Sequence, residues 1–136
     1  MTKDILDKKG QLIAQIYNIN EVTKTIFPTP EDVSFQFGVG VNNEAKVFKT
    51  HIHKDAPRAI KTTSEFLYVL DGLMEIDILD KDATVIVTVQ LKNNMAMLQF
   101  FGGHAIRTEA GTKYFELKQG PYFGRDFDKY DVEDGT

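Results

Sequence analysis

The chain has 136 residues, of which 42% are hydrophobic and 26% are charged, and this composition fits one globular domain with a single core. Its net charge of −4, without any block of Lys and Arg, argues against nucleic acid as a partner, and no apolar run reaches the ~18 residues of a membrane span. Because the N-terminal residues do not form a secretory signal pattern and the chain has no cysteine, we expect a cytoplasmic protein.

The first strong pattern is a strict alternation from Val33 to Val41, with Val and Phe side chains on one face and Ser, Gln and Gly on the other. An alternation with a period of two predicts a half-buried strand. Residues 45–53 are predicted to continue as an extended segment. Just before the alternation, Pro30-Glu31-Asp32 predicts at most a short helix, because proline is favoured at the first helical position.

The rest of the chain contains short apolar and β-branched runs separated by turn residues. Asp71-Gly72 predicts a hairpin that joins a strand at residues 65–70 to a strand at residues 73–79. Further strands are predicted at residues 83–91, 95–100 and 113–118, with a turn at Asn93-Asn94 between the first two. Seven to nine short strands with little helix predict an all-β barrel or sandwich.

The domain organisation is predicted to be simple, because no internal repeat or linker divides the sequence. Residues 1–125 are expected to form one domain that includes strands near the N-terminus. Residues 126–136 are acidic and poor in packing side chains, which predicts a solvated, mobile tail. The apolar face of the Val33 to Val41 segment is a candidate surface for pairing two copies, so a homodimer is expected.

All three histidines lie where one site can use them. His51 and His53 are two residues apart in an extended segment, so their imidazoles emerge on the same face; alone, this pair is more typical of surface histidines. His104 follows Gly102-Gly103. Glu65 opens an otherwise apolar strand, where a carboxylate facing the core is costly unless it is paired or bound to a metal. Together the four side chains are the predicted ligands of one divalent ion.

These residues resemble the two sequence motifs of the cupin family. The first motif is a His-x-His followed by a Glu and then a Gly, which here are His51-Ile52-His53, Glu65 and Gly72. Phe101-Gly102-Gly103-His104 resembles the second motif. The long insert before Glu65, with Pro57-Arg58, and the ending from Glu116 to Tyr122 resemble a narrower group of small single-domain bacterial cupins.

The resemblance to cupins implies a fold, a cofactor and an assembly. The fold is the cupin double-stranded β-helix, which is a jelly-roll barrel, and such proteins often pair as dimers. The implied cofactor is a divalent transition metal, one of Fe, Mn, Ni, Co or Zn, and three imidazoles with one carboxylate leave coordination positions open for water or a substrate. The implied ligands are His51, His53, Glu65 and His104.

Other polar side chains are predicted to surround the metal. Glu116 and Lys118 share one face of the last strand and are the candidate catalytic groups, because a Glu or Lys in a cavity can act as an acid or base. The candidate contacts to a substrate are Gln36, Lys49, Arg58 and Tyr68, with Arg58 the best suited to an anion. The alternatives are an exposed ion pair on the last strand, a solvated loop position for Arg58 and a core position for Tyr68.

Several functions fit this set of residues. The first is a metal-dependent enzyme acting on a small polar metabolite, and analogy with sugar-active cupins favours an isomerase or epimerase of a sugar or sugar-derived compound. An Fe(II)-dependent dioxygenase is the alternative chemistry. A non-catalytic module that binds a small molecule, and a metal-free cupin in which His104 acts as a base, remain open alternatives.

Overall fold

The computed structural model describes residues 2–132. Eight short strands form two antiparallel sheets, and helix is confined to a 3₁₀ turn at Ile19–Glu21 and a short α-helix, α1, at Arg125–Asp128. No helix among these residues is long and apolar enough to cross a membrane. The strands are β1 (Thr2–Leu6), β2 (Leu12–Asn18), β3 (Glu65–Asp71), β4 (Met74–Leu79), β5 (Val85–Leu91), β6 (Met95–Gln99), β7 (Gly103–Thr108) and β8 (Lys113–Lys118).

The larger sheet has the strand order β1-β2-β6-β3-β8 and the smaller sheet has the order β5-β4-β7. The main core lies between the two sheets, because every second side chain of each strand points inward. The central inward side chains are Leu67, Val69 and Met97 from the larger sheet and Met74, Ile76 and Ile78 from the smaller sheet. The prediction of an all-β domain is therefore confirmed, and so is the turn at Asn93-Asn94.

A second apolar cluster covers the outer face of the five-stranded sheet. Val33, Phe35 and Phe37 pack there, and the Phe37 ring lies 4.3 Å from the Tyr17 ring, measured between centroids. The prediction of a strand at residues 33–41 is wrong, since only Val39 forms a bridge there, to Ile26. Burial nevertheless alternates along the segment, because a chain that crosses the face of a sheet can bury every second side chain without pairing at an edge.

Two local predictions also differ from the structure. The strands flanking Asp71-Gly72 belong to different sheets, so the predicted hairpin is wrong and Gly72 is a corner between the sheets. Gly72 has a φ of +111°, and a Cβ there would lie 2.6 Å from Thr112 Oγ1, so the corner requires glycine. Pro30-Glu31-Asp32 forms a hydrogen-bonded turn that closes on Val33 and no helix.

Residues 42–61, which we call the arm, are all exposed. The arm includes the segment predicted to be extended, but it forms no strand. Within residues 2–132 it makes no hydrogen bond or ion pair with the rest of the chain. Val47 and Ile52 of the arm are 96% and 92% exposed, which is unusual for aliphatic side chains in a folded domain.

The start of the predicted C-terminal tail is structured. Helix α1 includes Asp128, whose carboxylate lies 3.2 Å from Lys118 Nζ on β8, and Arg125 pairs with Asp131 at 2.6 Å. Residues 133–136 of the predicted tail lie outside the described residues. The ion pair to Asp128 places α1 beside the end of β8 that carries Lys118.

Candidate metal centre

A row of polar side chains crosses one end of the five-stranded sheet. In the strand register Glu65 of β3 stands opposite Gln99 of β6 on one side and Lys118 of β8 on the other. The next row inward pairs Leu67 with Met97, both of which are buried in the main core. Glu65 and Gln99 therefore face the space between the sheets, at the point where the apolar core ends.

His104 reaches the same end of the core from the smaller sheet. It is the second residue of β7 and stands opposite Ile78, which is buried in the main core. Its Nε2 atom lies 3.5 Å from Glu65 Oε2, and the two side chains are 25% and 14% exposed. The sequence prediction that Glu65 and His104 approach each other agrees with this contact.

A tight turn before β7 sets the position of His104. Gly102 has a φ of +88°, and a Cβ on it would lie 2.3 Å from the Leu79 carbonyl oxygen and 2.9 Å from Ile13 Cδ1. No side chain fits this turn, because the left-handed conformation and the close backbone both exclude a Cβ. The Gly-Gly-His sequence thus allows β7 to start directly against the end of β4.

Gln99 fixes the tautomer of His104. Gln99 is 3% exposed, and its Nε2 donates hydrogen bonds to the carbonyl oxygens of Phe101 at 3.1 Å and Gly103 at 2.8 Å. Its Oε1 must therefore face His104 Nδ1, 2.8 Å away, and accept a hydrogen bond from the Nδ1–H group. With the proton on Nδ1, the neutral ring presents the lone pair of Nε2 to Glu65.

Two electron-pair donors face each other across this gap. A carboxylate oxygen and an unprotonated imidazole nitrogen at 3.5 Å cannot hydrogen-bond without a proton between them, and the distance is long for a good hydrogen bond. Two ligands of one transition-metal ion, each at about 2.0–2.2 Å from it, lie roughly 3 to 3.5 Å apart. The spacing of Glu65 and His104 therefore fits two positions in the shell of one cation.

The electrostatics of His104 favour the neutral, metal-binding form. Burial lowers the pKa of His104 below its usual range, and the positive charge of Lys129 acts in the same direction. A metal ligand must be deprotonated, so a depressed pKa reduces the competition between protons and a cation at neutral pH. Gln99 also favours cation binding, because it orients the His104 ring as outer-shell partners of metal-binding histidines do.

The structure does not bring the other two predicted ligands to this point. His51 and His53 lie in the exposed arm, with their ring centroids 5.1 Å apart, and His51 Nδ1 is 2.9 Å from the Lys49 carbonyl oxygen. Among residues 2–132 no group of three or more His, Asp or Glu side chains converges on one point. The four-ligand site stays a prediction, and the structure brings together only two of its four residues, Glu65 and His104.

The predicted catalytic residues share the face of Glu65. Lys118 stands directly opposite Glu65, and Glu116 stands opposite Leu67, so both side chains belong to the inward face of the sheet. Lys118 is partly covered by Asp128 and by the Tyr122 ring, whose centroid is 5.4 Å from Nζ. Glu116 is exposed and lies on β8, the last strand at one edge of the larger sheet.

The predicted substrate contacts are dispersed. Gln36 and Arg58 line one open groove of about 650 Å³ together with Phe100 and Phe101, but neither Glu65 nor His104 lines it. The Gln36 amide is bonded to its own loop through the carbonyl oxygens of Pro30 and Val33.

Two further predicted contacts lie away from the groove. Tyr68 is on the opposite face of β3 from Glu65, where its ring stacks on Phe115 with centroids 4.8 Å apart and its hydroxyl donates to Asn94. Lys49 lies in the arm and is exposed. None of the four predicted substrate residues therefore contacts the Glu65 and His104 pair in this structure.

Gln99 is the residue in contact with His104 that sequence reasoning missed. It is a polar residue in the otherwise apolar run Met95 to Phe100, the same signal that singled out Glu65. An amide in that setting needs partners as a carboxylate does, because an unpaired buried polar group is costly. Its partners are supplied by a turn that the sequence alone does not place.

No protein-family model matches this chain, and neither the curated proteins nor the solved structures include a match to it. The fold and the site are therefore the only basis for a functional assignment. The structure shows an all-β domain of two antiparallel sheets, with the Glu65 and His104 side chains in contact where the apolar core ends.

Proposed function

We propose that this protein is a metal-binding cupin whose site is built on Glu65 and His104. The observation that carries the proposal is the contact of His104 Nε2 with Glu65 Oε2, with the tautomer set by Gln99 so that two electron-pair donors face each other. The remaining proposed ligands are His51 and His53. The proposed ion is a divalent transition metal, which a set of imidazoles and one carboxylate suits.

The path of the chain supports the finer proposal of a jelly-roll fold. Strands β3, β6 and β8 belong to the larger sheet, and β4, β5 and β7 belong to the smaller sheet. Between β3 and β8 the chain therefore crosses from one sheet to the other four times. Repeated crossing between two facing sheets is typical of jelly rolls, the architecture of cupins. Glu65 at the start of β3 and His104 at the start of β7 then lie at the same end of the two sheets.

The proposed activity is an isomerisation or epimerisation of a small polar metabolite, by analogy with sugar-active cupins. When bound, the metal would polarise a carbonyl or hydroxyl oxygen of the substrate. Lys118 and Glu116, on the same sheet face as Glu65, would hold or move the proton that such a reaction transfers. The Lys118 ammonium is held in place by Asp128, which fixes the charge beside Glu65.

Elemental analysis tests the metal assignment. Wild-type protein purified without a metal-affinity tag and dialysed against Co²⁺ should retain about one equivalent per chain, as expected for a single site. Glu65→Gln and His104→Ala should each lose most of this metal while remaining folded by circular dichroism. Arg107→Gln, on the outer face of the smaller sheet, is the matched control and should retain the metal. A wild type that cannot be loaded would refute the assignment.

Isomerase activity requires a separate test. A mixture of sugar nucleotides and free keto-sugars in D₂O should show exchange of a carbon-bound proton when metal-loaded wild type is added, because isomerisation moves such a proton. Lys118→Met should reduce the exchange by more than tenfold without reducing the bound metal, if Lys118 handles the proton. Oxygen consumption by the Fe(II)-loaded protein would instead point to the dioxygenase alternative.

A further inference from the structure

Strand β8 is exposed on both of its faces. Tyr114 on the inward face is 43% exposed, and Phe115 and Leu117 on the outward face are 50% and 61% exposed. Within residues 2–132, β8 pairs only with β3, so it forms one edge of the larger sheet. An open edge with apolar side chains exposed on both faces is a surface that another strand can cover.

The backbone of β8 is unpaired on the side away from β3. The amide of Gln119, directly after β8, donates to the Ser64 carbonyl oxygen at 2.9 Å, so the odd-numbered residues of this strand hydrogen-bond to β3. Successive residues of an antiparallel ladder face alternate neighbours. The N–H and C=O groups of Tyr114, Glu116 and Lys118 therefore point to the open edge, where the described part of the chain gives them no partner.

The charges of β8 are complementary to those of a second β8 strand. Among the described edge strands β1, β5, β7 and β8, only β8 has opposite charges two residues apart on one face, at Glu116 and Lys118. When two copies of β8 run antiparallel about a two-fold axis through Leu117, Glu116 of each copy stands directly opposite Lys118 of the other. Lys113 then faces Pro121, so the only charges that stand opposite each other are of opposite sign.

Other pairings of this edge match its charges less well. An axis through Glu116 would place two carboxylates opposite each other, and an axis through Phe115 would place Lys118 opposite Thr112. The arm of the same chain is also a poor match. It holds five basic residues and two acidic ones, which gives +3, and β8 itself has two lysines against one glutamate, so like charges disfavour the arm as the strand that covers this edge.

We propose that two copies of this chain pair edge to edge through β8, which joins their five-stranded sheets into one continuous sheet. Lys118 already contacts Asp128 at 3.2 Å, so in the dimer its ammonium lies between two carboxylates, that of Asp128 and that of Glu116 from the second copy. The pairing also extends the polar row of Gln99, Glu65 and Lys118 on the inward face, because the second copy's Glu116 is the next side chain in that row. A role for this Glu116 beside Lys118 rests on the proposed function, whereas the pairing itself does not.

Charge reversal on β8 tests the pairing by sedimentation. The wild type should have twice the 15.4 kDa chain mass. Glu116→Lys and Lys118→Glu each place two like charges opposite each other and should raise the dissociation constant of the dimer by roughly 10- to 100-fold. An equal mixture of the two variants restores opposite charges in the heterodimer and should recover dimers, and Lys113→Glu, which faces no charge, is the matched control and should remain dimeric. A monomeric wild type, as expected if the arm covers β8, or a mixture that stays monomeric would overturn the proposal.

A single thiol tests the register of the two strands. The chain has no cysteine, and Leu117 lies on the proposed axis in a pair without hydrogen bonds, where opposite Cα atoms are about 4.5 Å apart and a disulfide fits. Leu117→Cys should therefore form a disulfide-linked dimer on oxidation, and Phe115→Cys, which faces Gln119 of the second copy, should not. A crosslink through Phe115→Cys in place of Leu117→Cys would overturn the proposed ion pairs. Neither experiment involves a metal, so a wild type that dimerises without binding Co²⁺ would refute the metal site alone.

Discussion

Replacing Gln99 by Leu separates its role in stability from its role in the metal site. The change removes three hydrogen bonds, those to the Phe101 and Gly103 carbonyl oxygens and that from His104 Nδ1. At about 1 kcal/mol for each bond, the free energy of unfolding should fall by about 3 kcal/mol. For a domain of this size that loss lowers the melting temperature by roughly 10 °C.

Gln15 offers a matched control on the other face of the same sheet. Gln15 is 2% exposed and also makes three side-chain hydrogen bonds, to Asp4, to the Pro28 carbonyl oxygen and from the Tyr17 hydroxyl. Gln15→Leu should therefore cost a similar amount of stability. It should leave Co²⁺ affinity unchanged, because none of these partners contacts Glu65 or His104.

Only Gln99→Leu should weaken Co²⁺ binding, by roughly 10- to 100-fold, the range seen when an outer-shell partner of a metal ligand is lost. The ¹⁵N chemical shifts of the His104 ring give a direct readout. The metal-free wild type should show the tautomer protonated on Nδ1, and Gln99→Leu should show a mixture of tautomers. Equal Co²⁺ affinities in the wild type and Gln99→Leu, or equal losses in both Leu variants, would refute the role assigned to Gln99.

Two further predictions concern the turn before His104 and the outer face of the smaller sheet. Gly102→Ala should destabilise the fold far more than Gly111→Ala when both are compared by thermal unfolding. Both glycines have a positive φ, but only the Cβ at position 102 would clash with a backbone atom, the Leu79 carbonyl oxygen. Similar melting temperatures of the two variants would show that the turn relaxes. Arg107→Gln should raise the pKa of Asp77 from about 2 toward its usual value, since Arg107 is the main cause of the depression, although the Thr88 hydroxyl continues to lower it. The stabilisation from the Arg107 and Asp77 pair is present above the ordinary Asp pKa and is lost as pH falls through about 2. The wild type and Arg107→Gln should therefore differ in stability at pH 7 and converge near pH 2. An Asp77 carboxyl titration by ¹³C NMR that is identical in both proteins would contradict this prediction.

Local patterns predicted five of the eight described strands, β3, β4, β5, β6 and β8, but they also predicted a strand at residues 33–41 that does not form and gave none for β7. The alternation from Val33 to Val41 correctly separates the partly buried from the exposed side chains, but it cannot distinguish a strand in a ladder from a segment lying on the face of a sheet. Asp71-Gly72 correctly marks a change of direction. Whether β4 then pairs with β3 or crosses to the other sheet depends on contacts that are distant in sequence.

The candidate site was predictable where a polar residue interrupts an apolar run. Glu65 stands out in this way, whereas His104 was singled out as the third histidine, after Gly102-Gly103, and the structure places the two in contact. Gln99 carried the same signal without being recognised. The position of His51 and His53 relative to these residues could not be predicted, because the arm between them and Glu65 has no periodic pattern that assigns it to a sheet.

The position of a bound metal is the most direct test of the account. Crystals of the Co²⁺-loaded protein, measured on both sides of the cobalt absorption edge, would locate the ion by its anomalous difference peak. We expect one peak between His104 Nε2 and Glu65 Oε2, at about 2.0–2.2 Å from each, with the imidazoles of His51 and His53 also bound. A loaded protein with no peak at Glu65 and His104, or with cobalt held by His51 and His53 alone, would contradict it.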